Sequence, residues 1–453
     1  MTDEFEVLAF AERQATAYLR SLEGRRVFPD EQALLALSGF DEPLPDEGQD
    51  AIEVLKQLSE LGGPATVAST GANYFGFVIG SSLPVAGAAE RIALAWDQCA
   101  SSFANSPVAD RIEKVAARWL LEILDLPRNS AVGFGTSATA CALTALSTAR
   151  EVLLQHLGWD LTRHGLSGAP PIRIVCPQNI HITLRKVFRV LGFGQDNIIT
   201  VPCDEQGRLK LDNFPDLDER TLLCLQAGEV NTGGFDPFAF LLPKARAAGA
   251  WTHVDGAFGL WARASGLHRD LTEGIDQADS WTVDAHKWLN TPYDGAMVIC
   301  RHADALSRAM NSDADYARAE PTAQKNLGLE FSRRARGIPI WAALKGLGKQ
   351  GVAEMVERHC ALARRIAEGL SAAGYRVLNQ VVLNQVLVRA DTDEETLAIL
   401  QAAQDSGRTW FGPSVWEGRP AFRISVSSWR TESRHADMLV ALLARLRQDH
   451  SSS

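Results

Sequence analysis

The sequence predicts an α/β protein built on a mostly parallel sheet, and three observations carry that expectation. Apolar runs at 172–176, 198–201, 222–225, 251–254 and 297–300 recur between helical stretches, one of which sets Leu184, Val187, Phe188 and Leu191 at helical spacing. Runs that are apolar almost throughout, without polar alternation, belong to strands covered on both faces. Strand and helix in alternation then give a layered α/β sheet. Finally, Asp255 closes one run and Lys287 follows another, and functional groups of such sheets gather beyond the carboxyl ends of the strands.

Taken in order, residues 5–61 read as helical and loosely amphipathic, broken by Pro43 and Pro45 in an acidic loop. Such an arm suits wrapping around a partner subunit. Tyr74, Phe75 and Phe77 then stand among small residues, a pattern that serves either core packing or the wall of a substrate pocket. Ile112, Val115, Ala116, Trp119, Leu120 and Ile123 recur at helical spacing, and Asp125-Leu126-Pro127 ends that helix. Residues 131–140 read as a turn of small residues running into an Ala/Leu helix. Backbone N–H groups at a helix start, with the Thr136 and Ser137 hydroxyls beside them, suit a phosphate. A plain helix cap accounts for the same residues.

After Arg301, residues 311–329 are polar and lack a clear period, as a mobile loop would. A long helix is expected over 340–373. From Tyr375 onward, β-like pieces at 376–389 and 419–426 alternate with helices, the last carrying Leu439, Leu442, Leu443 and Leu446 on one stripe. The expected organisation is an N-terminal helical arm at 1–70, a large domain at 71–340 and a small C-terminal α+β domain at 341–453.

Composition narrows the function classes. The 453 residues are 46% hydrophobic and 22% charged, as in ordinary globular proteins, and can bury a core that keeps water from a reaction. A net charge of -10 disfavours a nucleic-acid or anionic-membrane partner. No run reaches the length of a membrane span, and the start, Met1-Thr2-Asp3-Glu4, is acidic where a signal peptide is basic, so a cytoplasmic location is expected. The seven cysteines are scattered without a CxxC pair, which disfavours a disulfide framework and a zinc cluster. Cys176, Cys224 and Cys300 lie in apolar runs and read as buried free thiols. The ten histidines show no HExxH spacing, so no metal is expected.

The chemistry concentrates in residues 280–289, an apolar run that ends in Asp284, His286 and Lys287. An amine just past a buried strand, next to an imidazole, is what an enzyme needs to hold an aldehyde cofactor as a Schiff base. A lysine reaching solvent from a strand end is the plainer alternative. Asp255 needs a partner if buried: a protonated pyridine nitrogen, a buried arginine or backbone amides would each serve.

A phosphate turn, an aspartate and a lysine in that chain order are the requirements of pyridoxal 5'-phosphate, and the sequence resembles the group II pyridoxal-phosphate-dependent amino-acid decarboxylases. That is the family of aromatic-amino-acid and glutamate decarboxylases. The resemblance runs from about Tyr74 to Arg430. Its carriers are Phe103-Ala104-Asn105-Ser106-Pro107, Gly135-Thr136-Ser137-Ala138, Asn179-Ile180-His181, Ala227-Gly228-Glu229-Val230-Asn231-Thr232-Gly233, His253-Val254-Asp255-Gly256-Ala257 and Asp284-Ala285-His286-Lys287-Trp288. It implies the aspartate-aminotransferase-type fold (fold type I), with a mostly parallel seven-stranded sheet, pyridoxal 5'-phosphate as cofactor and a homodimer.

Position by position, the resemblance implies Lys287 as the Schiff-base lysine and Asp255 as the partner of the pyridine nitrogen. It implies His181 as the imidazole stacked on the ring, Thr136 and Ser137 at the phosphate, and Ala257 as the small residue under the ring. His286 would contact cofactor or substrate, and Asn231 or Thr232 would be a further cofactor contact. The implied reaction turns an L-amino acid into an amine and CO2, and Arg423 could meet a carboxylate. Three departures stand out. Asp284 replaces the family's usual Asn, Glu229 stands where decarboxylases often carry Thr, and the mobile loop, where the family keeps a proton-donating Tyr, offers only Tyr316, with Leu327, Leu329 and Phe331 later on. Two other outcomes of the same cofactor chemistry therefore stay open: C–C cleavage of the sphingosine-phosphate-lyase type, whose lysine motif also carries Asp before the His, and a decarboxylating aldehyde synthase.

Overall fold

A computed structural model describes residues 3–312 and 320–451. The chain divides into two compact units, one of Gly80–Arg364 with Leu378–Val386, the other of Met1–Ile79, Arg365–Val377 and Leu387–Ser453. The division into three domains at 70 and 340 stays a proposal beside these units.

The first unit holds a seven-stranded sheet of β1 (Ala131–Gly135), β2 (Arg173–Pro177), β3 (Ile198–Val201), β4 (Thr221–Gln226), β5 (Trp251–Asp255), β6 (Ser280–Asp284) and β7 (Ala296–Cys300), in the order β1-β7-β6-β5-β4-β2-β3. Only β7 runs against its neighbours β1 and β6; the other pairings are parallel. Every residue of β4, β5, β6 and β7 is buried and most are apolar, with Thr252, His253, Ser280 and Thr282 among the buried polar exceptions. Cys176, Cys224 and Cys300 lie in this sheet as buried free thiols. Among the described residues no helix is long and apolar enough to cross a membrane.

Two readings need correction. Residues 131–135 form the edge strand β1, and the turn is confined to Thr136 and Ser137 before the helix Ala138–His156. The small residues of β1 serve a close approach: a Cβ on Gly133 would lie 1.9 Å from the carbonyl oxygen of Leu327. The chain that approaches is the second half of the supposed mobile loop, where Gln324, Lys325, Asn326 and Leu327 are all buried. Gln324 Oε1 accepts from the Phe134 N–H at 3.4 Å and from Arg333 at 3.2 Å, while Arg333 is clamped by Glu113 at 2.9 and 2.7 Å. This strap is tied to β1 through the Gln324 side chain, whose Nε2 also donates to the Val132 carbonyl at 3.4 Å, and its polar sequence conceals that burial. Tyr316 lies outside the described residues.

The second unit contains the four-stranded sheet β10-β11-β9-β8, with β8 (Arg376–Val377), β9 (Gln385–Arg389), β10 (Gly412–Trp416) and β11 (Arg419–Ser425). Tyr74 stacks on Trp410 with ring centroids 5.2 Å apart, Phe77 does so at 5.3 Å, and Phe75 is fully buried. Packing within this unit thus accounts for Tyr74 and Phe75, while Phe77 stays 59% exposed beside Trp410. Arg423 is buried on β11.

His253 on β5 is fully buried, its Nδ1 3.0 Å from Ser280 Oγ, and burial holds its pKa down to about 3. Below an ordinary histidine pKa near 6.5 the unfolded chain takes up a proton that the folded chain refuses, so this group costs about 1.4 kcal/mol of stability per pH unit as pH falls. Asp236, which burial raises to about 7, acts in the opposite sense, but it is common to wild type and variant and cancels between them. Denaturant unfolding at pH 6.5 and 5.5 is therefore expected to show His253→Asn losing less stability than wild type over that interval. Equal losses would contradict a neutral buried imidazole.

Candidate active site

The candidate residues lie beyond the carboxyl ends of β1, β2, β4, β5 and β6. Asp284, the last residue of β6, is almost fully buried. Its Oδ1 accepts the N–H of Ala138, the first residue of the helix after β1, at 2.6 Å. A carboxylate there is favoured by the unpaired amides and positive end of the helix dipole. Its Oδ2 lies 3.0 Å from Lys287 Nζ and 3.7 Å from His286 Nε2. One side chain thus gathers the phosphate-type turn, the lysine and the imidazole.

The turn bearing Lys287 is rigid. The N–H groups of Ala285 and His286 both reach the Gly295 carbonyl, at 3.0 and 3.2 Å. Asn290 closes the turn at φ 56°, a left-handed conformation that Asn tolerates, and its amide donates to the Trp288 carbonyl at 2.8 Å. Gly80 passes so close that a Cβ there would sit 1.7 Å from the Lys287 carbonyl oxygen. Trp288 in turn donates to His359 Nδ1 at 2.8 Å.

His286 Nδ1 accepts the Gly295 N–H at 3.2 Å, which leaves the proton of a neutral ring on Nε2, facing Asp284. Burial holds the pKa of this imidazole below its ordinary value; Asp284 opposes that shift and Lys287 adds to it. The ring of Tyr293 stacks on it with centroids 4.4 Å apart.

One strand over, Asp255 ends β5 in a buried position. Its Oδ1 accepts the Ala257 N–H at 3.1 Å, and among the described residues its other oxygen has no donor. Ala257 joins the two strand ends, since its carbonyl accepts the Asp284 N–H at 2.9 Å. Ser137 caps the helix after β1, its Oγ accepting the Ala140 N–H at 3.3 Å, and Thr136 precedes it, half-buried. The cap and the phosphate alternatives thus fall on the same residues. His181 caps the helix Ile182–Val190, with Nδ1 2.7 Å from Thr183 Oγ1 and its N–H donated to Gln226 Oε1 at 3.1 Å. Asn231 is drawn into a turn organised by Glu229, whose buried carboxylate accepts the Asn231 N–H at 2.7 Å, its Nδ2 at 3.2 Å and the Thr232 N–H at 2.8 Å.

Sequence reading missed Tyr293, Asp236 and Gln226. Gln226 closes the apolar run of β4 as Asp255 closes that of β5, so the strand-end rule that singled out Asp255 applied to it too. Asp236 accepts the Leu209 N–H at 2.9 Å and the Gln226 N–H at 2.7 Å, and carried no motif to mark it. A cavity of about 470 Å³ in the same unit, lined by Asp204, Arg208, Thr232, Asp236, Phe238 and Asp270 among others, includes none of Lys287, Asp255 or Asp284.

The donor set fits pyridoxal phosphate: an amine on a fixed turn, a carboxylate with a free oxygen for a protonated ring nitrogen, and a helix start flanked by two hydroxyls. The family profile described as "Pyridoxal-dependent decarboxylase conserved domain" matches residues 37–389. An L-2,4-diaminobutyrate decarboxylase of Rhizobium meliloti is 27% identical over 88% of this chain and 83% of its own length. A 4-hydroxyphenylacetaldehyde synthase of Rhodiola rosea is 24% identical over 96% of this chain and 92% of its own. The crystal structure of Oryza sativa TDC with PLP and tryptamine covers 99% of both chains at a TM-score of 0.90 and 20% identity, a likeness of fold. The chain belongs to the pyridoxal-dependent decarboxylase family, and is a carboxy-lyase of fold type I that uses pyridoxal 5'-phosphate.

Proposed function

We propose that this chain decarboxylates an L-amino acid to the corresponding amine, in the cytoplasm and as a homodimer, with Lys287 as the residue that anchors the cofactor. The observation that carries this reading is the placement of Lys287 Nζ 3.0 Å from Asp284, while Asp255 keeps an open oxygen at the adjacent strand end. Apolar side chains left exposed on the N-terminal arm, among them Phe5, Leu35 and Leu44, support a covered assembly.

When bound, pyridoxal phosphate supplies an electron sink for the charge left at the substrate carbon as CO2 departs. The chain's own residues do the rest. Asp255 accepts the ring N–H through its free oxygen and keeps that nitrogen charged. Thr136 and the Ser137 hydroxyl hold the phosphate, since Asp284 already takes the first amide of the helix. His181 would pack on the ring, Ala257 would leave room for it, and Asn231, fixed by Glu229, would be a polar contact to the cofactor. Asp284 holds the Lys287 amine in place, and His286, neutral by burial, presents a donor at Nε2 to that carboxylate or to substrate.

A second reading, the decarboxylating aldehyde synthase, is favoured by the likeness to the Rhodiola rosea enzyme and by Leu327, a buried apolar residue in the strap. An L-amino-acid panel read together for CO2, amine, ammonia, peroxide and aldehyde tests both. Equal amounts of CO2 and amine are expected; CO2 with ammonia, peroxide and aldehyde would install the synthase, and aldehyde without CO2 would install C–C cleavage.

Asp255→Ala is expected to slow turnover by about a hundredfold or more while the fold persists, because without the carboxylate the ring nitrogen loses its proton and the electron sink weakens. Steady-state rates beside a thermal melt check this, and an unchanged rate would remove Asp255 from the cofactor.

A further inference from the structure

We infer that Gln226 is a positioning residue that sets the His181 imidazole for the cofactor; this deepens the reading above and rests on it. Gln226 is the last residue of β4 and is buried. The parallel register of β4 and β5 pairs it with Asp255, so the two side chains leave neighbouring strands on one face of the sheet. Its amide is used at both ends. Oε1 accepts the His181 N–H at 3.1 Å, and Nε2 donates to Asn179 Oδ1 at 3.3 Å.

Both contacts fall on the short segment that delivers His181 from β2 to the head of its helix. Asn179 is itself held, its Nδ2 donating to the Gly207 carbonyl at 2.9 Å and its Oδ1 taking the Cys203 thiol at 3.1 Å. Gln226 does not float either, because its own N–H is donated to Asp236 Oδ2 at 2.7 Å and the next N–H, of Ala227, to the Asp255 carbonyl at 2.8 Å. One amide therefore links the strand end carrying the ring-nitrogen carboxylate to the turn carrying the ring-stacking imidazole. Without it, the part-buried backbone N–H of His181 at the head of its helix loses the Gln226 acceptor and the turn loses one of its ties to β4.

The test uses apoprotein titrated with pyridoxal phosphate and followed by tryptophan fluorescence, with the induced circular dichroism of the bound cofactor as a second signal. Gln226→Met keeps the volume and removes the hydrogen bonds; it is expected to raise the Kd about five- to tenfold, the worth of one hydrogen bond, and to weaken the dichroism. In a His181→Ala background the same substitution is expected to change the Kd by less than about twofold, since its effect runs through the imidazole. Gln226→Glu, which keeps the acceptor for His181 but loses the donor to Asn179, is expected to raise the Kd by less than Gln226→Met does, and serves if the Met variant does not fold; a wild-type Kd and dichroism in it would overturn the Asn179 part of the inference. Full and independent effects of the two substitutions in the double variant would overturn the inference, as would a wild-type Kd in Gln226→Met. A wild-type Kd in His181→Ala would instead overturn the stacking role of His181 on which the inference stands.

Discussion

The carboxylate of Asp284 is the constraint on which the rest of the site depends. It ends β6 with no solvent to stabilise it, so its charge must be met by protein groups. Those groups are the first amide of the helix after β1, at 2.6 Å, and the Lys287 ammonium, at 3.0 Å. A buried ion pair of this kind adds little net stability, but breaking it is costly, so it fixes geometry more than it strengthens the fold. The amine is held at the end of β6, and the helix start is held beside it. His286 and Tyr293 complete the wall around the same carboxylate.

Around that point the sheet supplies registration. Asp284 donates its N–H to Ala257, Ala227 donates its own to Asp255, and Gln226 reaches from β4 to the turn of His181. Each functional side chain is therefore one or two hydrogen bonds from a strand end, and the strands are fixed by full burial. This is why residues from five separate stretches of the chain can form one site without a dedicated scaffold.

Much of this was legible in the sequence, for a physical reason. Strands buried on both faces are largely apolar, with polar exceptions such as His253 that bond inside the sheet, so β2, β4, β5, β6 and β7 announced themselves, and the charged residues at their ends marked the candidate site. What was hidden depended on backbone contacts. β1 is small and glycine-bearing because Leu327 crosses it, and its composition reads as a turn. The strap at Gln324–Asn326 is polar because Gln324 bonds to the backbone of β1 and to Arg333 while Lys325 and Asn326 bond to each other, and such polarity imitates a loop. Gln226 ends β4 as Asp255 ends β5, but an uncharged amide carries a weaker mark than a carboxylate, and its partner, His181, lies forty-five residues away in the chain.

The central claim, that Lys287 is the cofactor lysine, is tested most directly by covalent trapping. Borohydride reduction of the holoprotein, followed by digestion and peptide mass spectrometry, is predicted to place the pyridoxyl-phosphate mass on the peptide containing Lys287 and on no other. Its appearance on another lysine, such as the buried Lys325, or on none, would contradict the account.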